Sequence, residues 1–198
     1  LPLSKLHISN LRQGYATSVS PIREALSRLT AEGLVIKRGQ RGHWVAPVSR
    51  EELRDITHLR VLLETDALRF SIRNGDLAWE AQIVAAMHRL KGVHGASWDD
   101  QKALARAIEK ENREFHVSLV SRCPSDWQLR FISTLYDQTA RYRRLSVLNK
   151  RERIDPAQSG HARIMESALA RDVEAACGLL KAHIEAATES IIANVFPE

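Results

Sequence analysis

The sequence predicts a mainly α-helical protein of two domains, in which a short helix-turn-helix and hairpin segment precedes a bundle of about six helices. Three observations support this prediction. The 198 residues are 44% apolar and 27% charged, as in ordinary globular proteins. Residues 1–48 hold seven Lys or Arg against two Glu, whereas residues 49–198 hold 22 of each sign. From Arg50 onward the apolar residues recur with helical spacing, and no convincing strand interrupts them.

The first segment contains two predicted helices. A short one runs from about Ser9 to Gly14. The second is expected to begin with Ser20 as its N-cap and Pro21 at its first position, because these residue types suit those places. Gly33 is expected to end it.

A hairpin is predicted after the second helix. Leu34–Lys37 and His43–Val48 have the composition of short strands, and the residues Gly39–Gly42 between them favour a turn. Two helices and a hairpin in this order form a winged helix-turn-helix over residues 1–48. The usual first helix of such a domain is missing from the pattern, so we expect upstream residues to be absent or disordered.

The second predicted helix has two contrasting faces. Ile22, Leu26 and Leu29 share an apolar face suited to a core, whereas Arg23 lies on a polar face near the N-terminal end. This is the geometry of a helix that enters the major groove of DNA, where Arg23 would contact guanine or a phosphate. A winged helix used for protein contact is the alternative. The expected DNA-binding residues are Ser20, Arg23, Ser27, Arg28, Lys37, Arg38, Arg41 and Gly42.

The second domain, residues 49–198, is predicted to be entirely helical. Its breaks fall at Gly-containing, Pro-containing or charged loops such as "RNGD" at 73–76. The predicted helices lie near 50–74, 77–93, 98–122, 125–150, 155–170 and 172–195.

Three helices of this bundle carry a histidine on the side that faces inward. They are His116, His161 and His183, each within an apolar stripe. A buried imidazole needs a polar partner, and one shared divalent metal, such as zinc or nickel, would satisfy all three. A metal-free polar pocket is the alternative.

Arg60 is also predicted to point inward, because Leu53, Ile56, Leu63 and Ala67 share its face. A buried guanidinium needs an anion. One interpretation makes Glu64 that partner, and the other makes Arg60 a clamp for a ligand carboxylate. Tyr136, Thr139 and Arg143 follow helical spacing and would line the same pocket, although "RYRR" at 141–144 also suits a solvated surface.

The N-terminal motif resembles a known family. "SPIREALSRLTAEGLV" followed by a strand and "RGQRGHWVAPVS" is similar to the winged helix of GntR-type bacterial transcription regulators. The helical remainder resembles the C-terminal effector domain (FCD) of the FadR subfamily, and "RYRRL" and "ALARD" are similar to its CsiR-like branch. Val19 replaces an Arg that many relatives carry, so the operator sequence does not carry over.

The resemblance also implies a ligand set for the metal. Many such effector domains hold a divalent metal through an Asp, or sometimes an Asn, one helical turn before a His, together with two further His. The matching positions here are Asn112, His116, His161 and His183. The neutral amide of Asn112 is a weaker ligand than a carboxylate and is expected to reduce metal affinity.

The leading functional hypothesis is a ligand-responsive transcription regulator. A homodimer would bind a near-palindromic DNA operator. A small organic acid, bound to Arg60 and any metal, would change the relative position of the two winged helices. Most relatives are repressors released by their ligand, so repression is expected.

Two other functions fit parts of the pattern. One is a constitutive DNA-binding dimer without an effector. The other is a metal-dependent enzyme, since three His with an open position also describe catalytic zinc. Glu109 and Glu111 are the nearest candidate bases, but nothing in the sequence places either over the metal. We therefore expect no enzymatic activity.

Two further features of the sequence indicate the cellular compartment in which the protein is expected. No apolar run approaches the roughly 18–20 residues of a membrane span, and no secretory leader is found. Cys123 and Cys177 lie far apart with no metal-type spacing. Reduced thiols in a cytoplasmic protein are expected.

Overall fold

The computed structural model describes residues 1–95, 100–149 and 160–197, which form two compact units, Leu1–Ser49 and Arg50–Glu198. The described residues contain eight α-helices and one small three-stranded sheet. The predicted mainly α class, with a winged helix-turn-helix and a helical bundle, is confirmed.

The first unit is built from two helices and three short strands. Its helices are α1 (Ile8–Tyr15) and α2 (Val19–Ala31). The strands β1 (Lys5–Leu6), β2 (Val35–Lys37) and β3 (His43–Val45) are antiparallel in the order β1-β3-β2. Both predicted strands are thus present but shorter, and β1 was not predicted.

Helix α2 begins two residues earlier than predicted. Its N-cap is Ser18, not Ser20, and Pro21 is the third helical residue. Proline is tolerated there because the first four N–H groups of a helix have no partner within it. At the other end Gly33 adopts a φ of 74°, and the Leu34 N–H donates to the carbonyl of Leu29 at 2.9 Å. Gly33 therefore closes the helix as a left-handed cap residue.

A small apolar core joins these elements. Ile22 and Leu26 of α2 and Val35 of β2 are buried together, and Leu29 packs against them. Beyond β2, Gly39–Arg41 form a 3-10 turn, and Gly42 has a φ of 103°, which favours glycine.

The second unit is an all-helical bundle whose helices follow the predicted boundaries closely. They are α3 (Arg50–Asn74), α4 (Leu77–Gly95), α5 (Gln101–Val120), α6 (Asp126–Asn149), α7 (His161–Leu169) and α8 (Val173–Val195). Predicted helical residues 98–99, 150 and 155–159 lie outside the described residues.

The centre of the bundle is apolar and closely packed. Trp79, Phe115 and Leu119 are fully buried, and the Trp79 indole donates to the Ser118 carbonyl at 3.0 Å. Asp172 is the N-cap of helix α8, and its carboxylate accepts from the Ala175 N–H at 3.0 Å.

Two observations bear on the sequence expectations about thiols and membrane spans. Cys123 and Cys177 are buried and unbridged. Within the described residues, no helix combines the length and apolar character needed to span a membrane.

Candidate functional site

The three histidines predicted to face inward come together in the bundle. His116 lies on α5, His161 is the first residue of α7, and His183 lies on α8. Their potential ligand atoms all lie within 4.8 Å of one another. The ring centroids are 4.3 Å apart for His161 and His183 and 5.3 Å apart for His116 and His183. The cluster is enclosed, since His116 and His161 are only 5% and 6% exposed.

The local sequence explains why the three side chains converge. His116 shares its helix face with the fully buried Leu119, and His161 shares its face with the buried Ile164. Gly160 precedes α7 with a φ of 78°, a conformation that other residues rarely adopt. This turn places His161 at the very start of α7, beside His183.

Asn112 lies one helical turn before His116 on α5. Its amide oxygen Oδ1 is buried and has no hydrogen-bond partner among the described residues. A buried acceptor without a partner is costly, so this oxygen suits a bound cation or a ligand donor.

Burial disfavours the charged forms of His116 and His161. It lowers the pKa of His116. Burial, followed by repulsion from His183 and His116, lowers the pKa of His161 from 6.5 to about 2. Neutral imidazole is the form that coordinates metals. Three imidazoles and one amide oxygen are a donor set that fits zinc or nickel.

Glu64 on α3 connects the cluster with Arg60. Its Oε1 accepts from Arg60 Nε at 2.7 Å, and its Oε2 lies 3.6 Å from His116 Nδ1. Burial raises the pKa of Glu64, but the attraction of Arg60 and then of His116 outweighs it and lowers the pKa from 4.5 to about 2. Of the two interpretations of Arg60, the structure contains the ion pair with Glu64.

Three guanidinium groups lie close to the ring of Tyr136. They belong to Arg60, Arg113 and Arg143, which we call the arginine layer. Their Cζ atoms lie 5.1, 5.3 and 4.1 Å from the ring centroid, respectively. The Tyr136 ring is also 6.0 Å from that of His116, so the arginine layer borders the histidine cluster. Arg113 was not predicted as a neighbour of Tyr136. The two residues lie on different helices, α5 and α6, and helical periodicity relates only residues of the same helix.

The hydroxyl of Tyr136 is buried and has no hydrogen-bond partner among the described residues. Burial raises its pKa to about 12, so the hydroxyl stays protonated and can donate to an anion. Arg143 Nε donates to Glu109 Oε2 at 2.8 Å. Burial acts to lower the pKa of Arg143, but Tyr136 and Glu109 together raise it.

The other predicted pocket residue, Thr139, is buried on α6 but donates its hydroxyl to the Leu135 carbonyl at 2.8 Å. The solvated-surface interpretation of "RYRR" holds for the exposed Arg144 but not for Arg141 and Tyr142. Tyr142 is fully buried and donates to Glu52, and Arg141 pairs with the same carboxylate at 2.6 Å.

The predicted DNA-binding side chains lie on the surface of the first unit. On α2 the exposed ones are Ser20, Arg23, Ser27 and Arg28, and on the hairpin they are Lys37, Arg38 and Arg41, with Gly42 half-buried. Arg38 stacks 5.1 Å above the Trp44 ring, and Lys5 Nζ lies 5.9 Å from it. Lys5 of β1 was not predicted, because a two-residue strand has no periodicity to detect.

A winged helix with an exposed basic face defines a DNA-binding module, and known families cover both units of this chain. The bacterial regulatory protein gntR family matches residues 1–45, and the FCD domain matches residues 55–186. The chain is therefore a DNA-binding transcription regulator. It belongs to the gntR family of bacterial regulatory proteins, in the group that carries an FCD domain.

Individual relatives agree with this assignment. The chain is 43% identical over 185 residues to the HTH-type transcriptional regulator BphR of Paraburkholderia xenovorans (strain LB400), covering 92% of this chain and 74% of the relative. It is 34% identical over 187 residues to the HTH-type transcriptional repressor GlaR of Escherichia coli (strain K12), covering 92% and 84%. The E. coli structure McbR/YncC shares the fold, with a TM-score of 0.77, 20% identity, and coverage of 96% and 87%. The matched families and these two relatives are transcription regulators and not enzymes.

Proposed function

We propose that this protein is a ligand-responsive repressor, released from DNA when a small carboxylate binds in the helical unit. The observation that carries the proposal is the buried cluster of His116, His161 and His183 beside the arginine layer. A cluster of neutral imidazoles next to cationic groups suits an anion better than an apolar ligand.

His116, His161, His183 and Asn112 would hold the divalent metal. When bound, it would supply a cationic centre that would attract a carboxylate of the effector. The partnerless Oδ1 of Asn112 supports this assignment, because a metal ligand role would satisfy it.

Charge balance favours an anionic effector. Each arginine of the layer already has a carboxylate partner, since Arg60 pairs with Glu64, Arg143 with Glu109 and Arg113 with Asp137. The four proposed metal ligands carry no charge in their neutral forms. A divalent cation there would keep its charge uncompensated until an anion binds.

Arg60, Tyr136 and Arg143 are the proposed effector contacts. The Tyr136 hydroxyl is free to donate, whereas both arginines must share or release a carboxylate partner when a ligand arrives. Thr139 would form part of the pocket wall and would not donate a hydrogen bond to the effector, because its hydroxyl already donates to the Leu135 carbonyl of its own helix.

DNA binding is assigned to α2 and the hairpin. Arg23 would contact a base edge, and Ser20, Ser27 and Gly42 would approach the backbone closely. The other predicted DNA-binding cations, Arg28, Lys37, Arg38 and Arg41, are exposed and would contact phosphates, which would make affinity depend on salt.

A homodimer would place two such units on a near-palindromic operator, as regulators of this family bind DNA as dimers. An apolar strip on the helical unit supports self-association. Leu59, Leu62 and Phe70 of α3 and Trp127 and Phe131 of α6 are exposed, and Trp127 is 66% exposed. The expected result is a dimer by sedimentation for the parent protein and a monomer for Leu62→Glu.

Metal content of the purified protein tests the site. Near one equivalent of zinc or nickel is expected in the parent, and little in His161→Ala. His88→Ala, an exposed histidine on α4, should retain the metal. Equal metal in parent and His161→Ala would contradict the assigned ligands.

The response of operator affinity to an added effector distinguishes a repressor that its ligand releases from a dimer that binds DNA constitutively. Operator affinity, measured by fluorescence anisotropy, is expected to fall when a chelating carboxylate is added to the metal-loaded parent. The fall should be lost in Arg60→Met. A panel of small acids that leaves operator affinity unchanged would favour the constitutive dimer instead.

A further inference from the structure

Glu64 lies between Arg60 of the arginine layer and His116 of the histidine cluster. It is 2% exposed and lies on α3, where Oε1 accepts from Arg60 and Oε2 faces His116 Nδ1 on α5. The 3.6 Å separation of Oε2 and Nδ1 is about 0.7 Å longer than a normal hydrogen bond. A small movement of the side chain would close it.

The chemistry of these three groups fixes their proton positions. A guanidinium only donates hydrogen bonds, and a carboxylate can accept at both oxygens. With Oε1 engaged by Arg60, Oε2 remains an acceptor facing His116. If the gap between Oε2 and Nδ1 closes to a hydrogen bond, Nδ1 of His116 would carry the proton, and Nε2 would keep its lone pair for coordination.

We propose that Glu64 is a positioning residue that sets the tautomer of His116, directs Nε2 toward the histidine cluster, and joins this cluster to the effector-binding Arg60. A carboxylate behind a metal-bound histidine commonly orients the ring in this way. This inference deepens the proposed function and rests on it for the metal.

The connection predicts coupling between the two ligands. An effector carboxylate that draws Arg60 toward itself would remove the hydrogen-bond donor from Oε1 of Glu64. The side chain of Glu64 also faces His116, so the change would reach the histidine cluster. Since binding linkage is reciprocal, metal should raise effector affinity by the same factor as effector raises metal affinity.

Glu64→Gln tests the positioning role with little change in shape. The single amide oxygen is required by Arg60, so the amide NH2 group faces Nδ1 and moves the histidine proton to Nε2. Metal affinity, measured by competition with a chelating dye, should fall about 10- to 100-fold. Glu64→Asp keeps both acceptor oxygens and should recover part of the loss.

Glu111→Gln is the matched control. Glu111 is also a buried carboxylate and lies on the same helix as His116, but it pairs with Arg89 at 3.1 Å. Its substitution should leave metal affinity within about twofold of the parent. A Glu64→Gln protein that binds metal like the parent would overturn the inference and leave the proposed metal site intact.

The tautomer can be read without any variant and without metal. Nitrogen-15 spectra of the metal-free parent, with His116 assigned from His116→Gln, should show the Nδ1–H form. An Nε2–H form in the parent would overturn the inference. The Nδ1–H form in a parent that binds no added zinc would support the role of Glu64 and instead refute the proposed metal site.

Discussion

Acid should destabilise the metal-free protein at a pH well above that at which carboxylates titrate. The cause is His161, which the fold keeps neutral in a buried cluster. Burial first, then His183 and His116, lowers its pKa from 6.5 to about 2. Between these values the unfolded chain binds a proton that the folded protein does not bind. The stabilising contribution is therefore complete above pH 6.5 and is lost progressively as the pH falls toward 2.

The size of this effect follows from the two pKa values. Each pH unit below 6.5 costs about 1.4 kcal/mol, so lowering the pH from 7.5 to 5.0 should cost about 2 kcal/mol from His161 alone. His116 acts in the same direction, because burial also lowers its pKa. Glu64 contributes little in this range, since its pKa falls from 4.5 to about 2 and its stabilising contribution is lost only below about pH 4.5.

Urea unfolding followed by circular dichroism, after removal of metal with a chelator, would measure the free energy of unfolding at pH 7.5, 6.0 and 5.0. For a chain of this size, about 2 kcal/mol corresponds to a fall in Tm of roughly 4–8 °C. His161→Gln should reduce the number of protons taken up on unfolding by nearly one, so that the free energy of unfolding depends less steeply on pH. His88→Gln, on the exposed side of α4, should leave this slope unchanged. Stability that stays constant between pH 7.5 and 5.0, or an unchanged slope in His161→Gln, would refute the reasoning.

Three further outcomes are expected. Gly75→Ala should lower the free energy of unfolding by about 2–3 kcal/mol, because its Cβ would lie 2.1 Å from the buried Trp79 ring. Gly92→Ala lies in open space on α4 and should raise the free energy of unfolding by about 0.5–1 kcal/mol. Equal effects of the two substitutions in urea unfolding would contradict the packing at Gly75. Asn112→Asp should raise zinc affinity, on the order of tenfold by calorimetry, because it adds a negative ligand; unchanged affinity would remove Asn112 from the site. Arg23→Ala should weaken operator binding by about 1–3 kcal/mol in anisotropy titrations and leave random duplexes nearly unaffected, whereas equal losses would assign Arg23 to phosphate.

The bundle could be predicted from sequence because its helices end at strong local signals. Helix α3 runs from Arg50 to Asn74, as predicted, since Gly75 and the Asp76 cap that follows interrupt the helical pattern. The start of α2 was placed two residues late, because Ser18 and Ser20 are both acceptable caps and Pro21 is tolerated anywhere in the first turn. The two-residue strand β1 left no signal in the pattern at all.

The histidine cluster was predictable for the same reason, since His116, His161 and His183 each lie on the apolar side of a helix. The arginine layer was only partly predictable. Arg143 and Tyr136 share α6 and follow helical spacing, but Arg113 reaches the same ring from α5. Periodicity reports which side of a helix faces inward, and it does not report which residues of two helices meet. The contact between Glu64 and His116 is of this second kind.

Asn112 and Glu64 together suggest how two inputs are combined at one site. With an aspartate at position 112, part of the metal charge would be neutralised by the protein, and metal would stay bound whether or not the effector is present. With Asn112, none of the four proposed ligands would offset the charge of a bound metal, and an added anion would be the first group to do so. Glu64 cannot supply that anion, because Arg60 already engages it at 2.7 Å. In the proposed mechanism the effector would then be both the signal and the missing negative ligand, so metal and carboxylate should each bind weakly alone and tightly together. We expect relief of repression to require both, and the Asn112→Asp protein to lose this mutual dependence while it gains metal affinity.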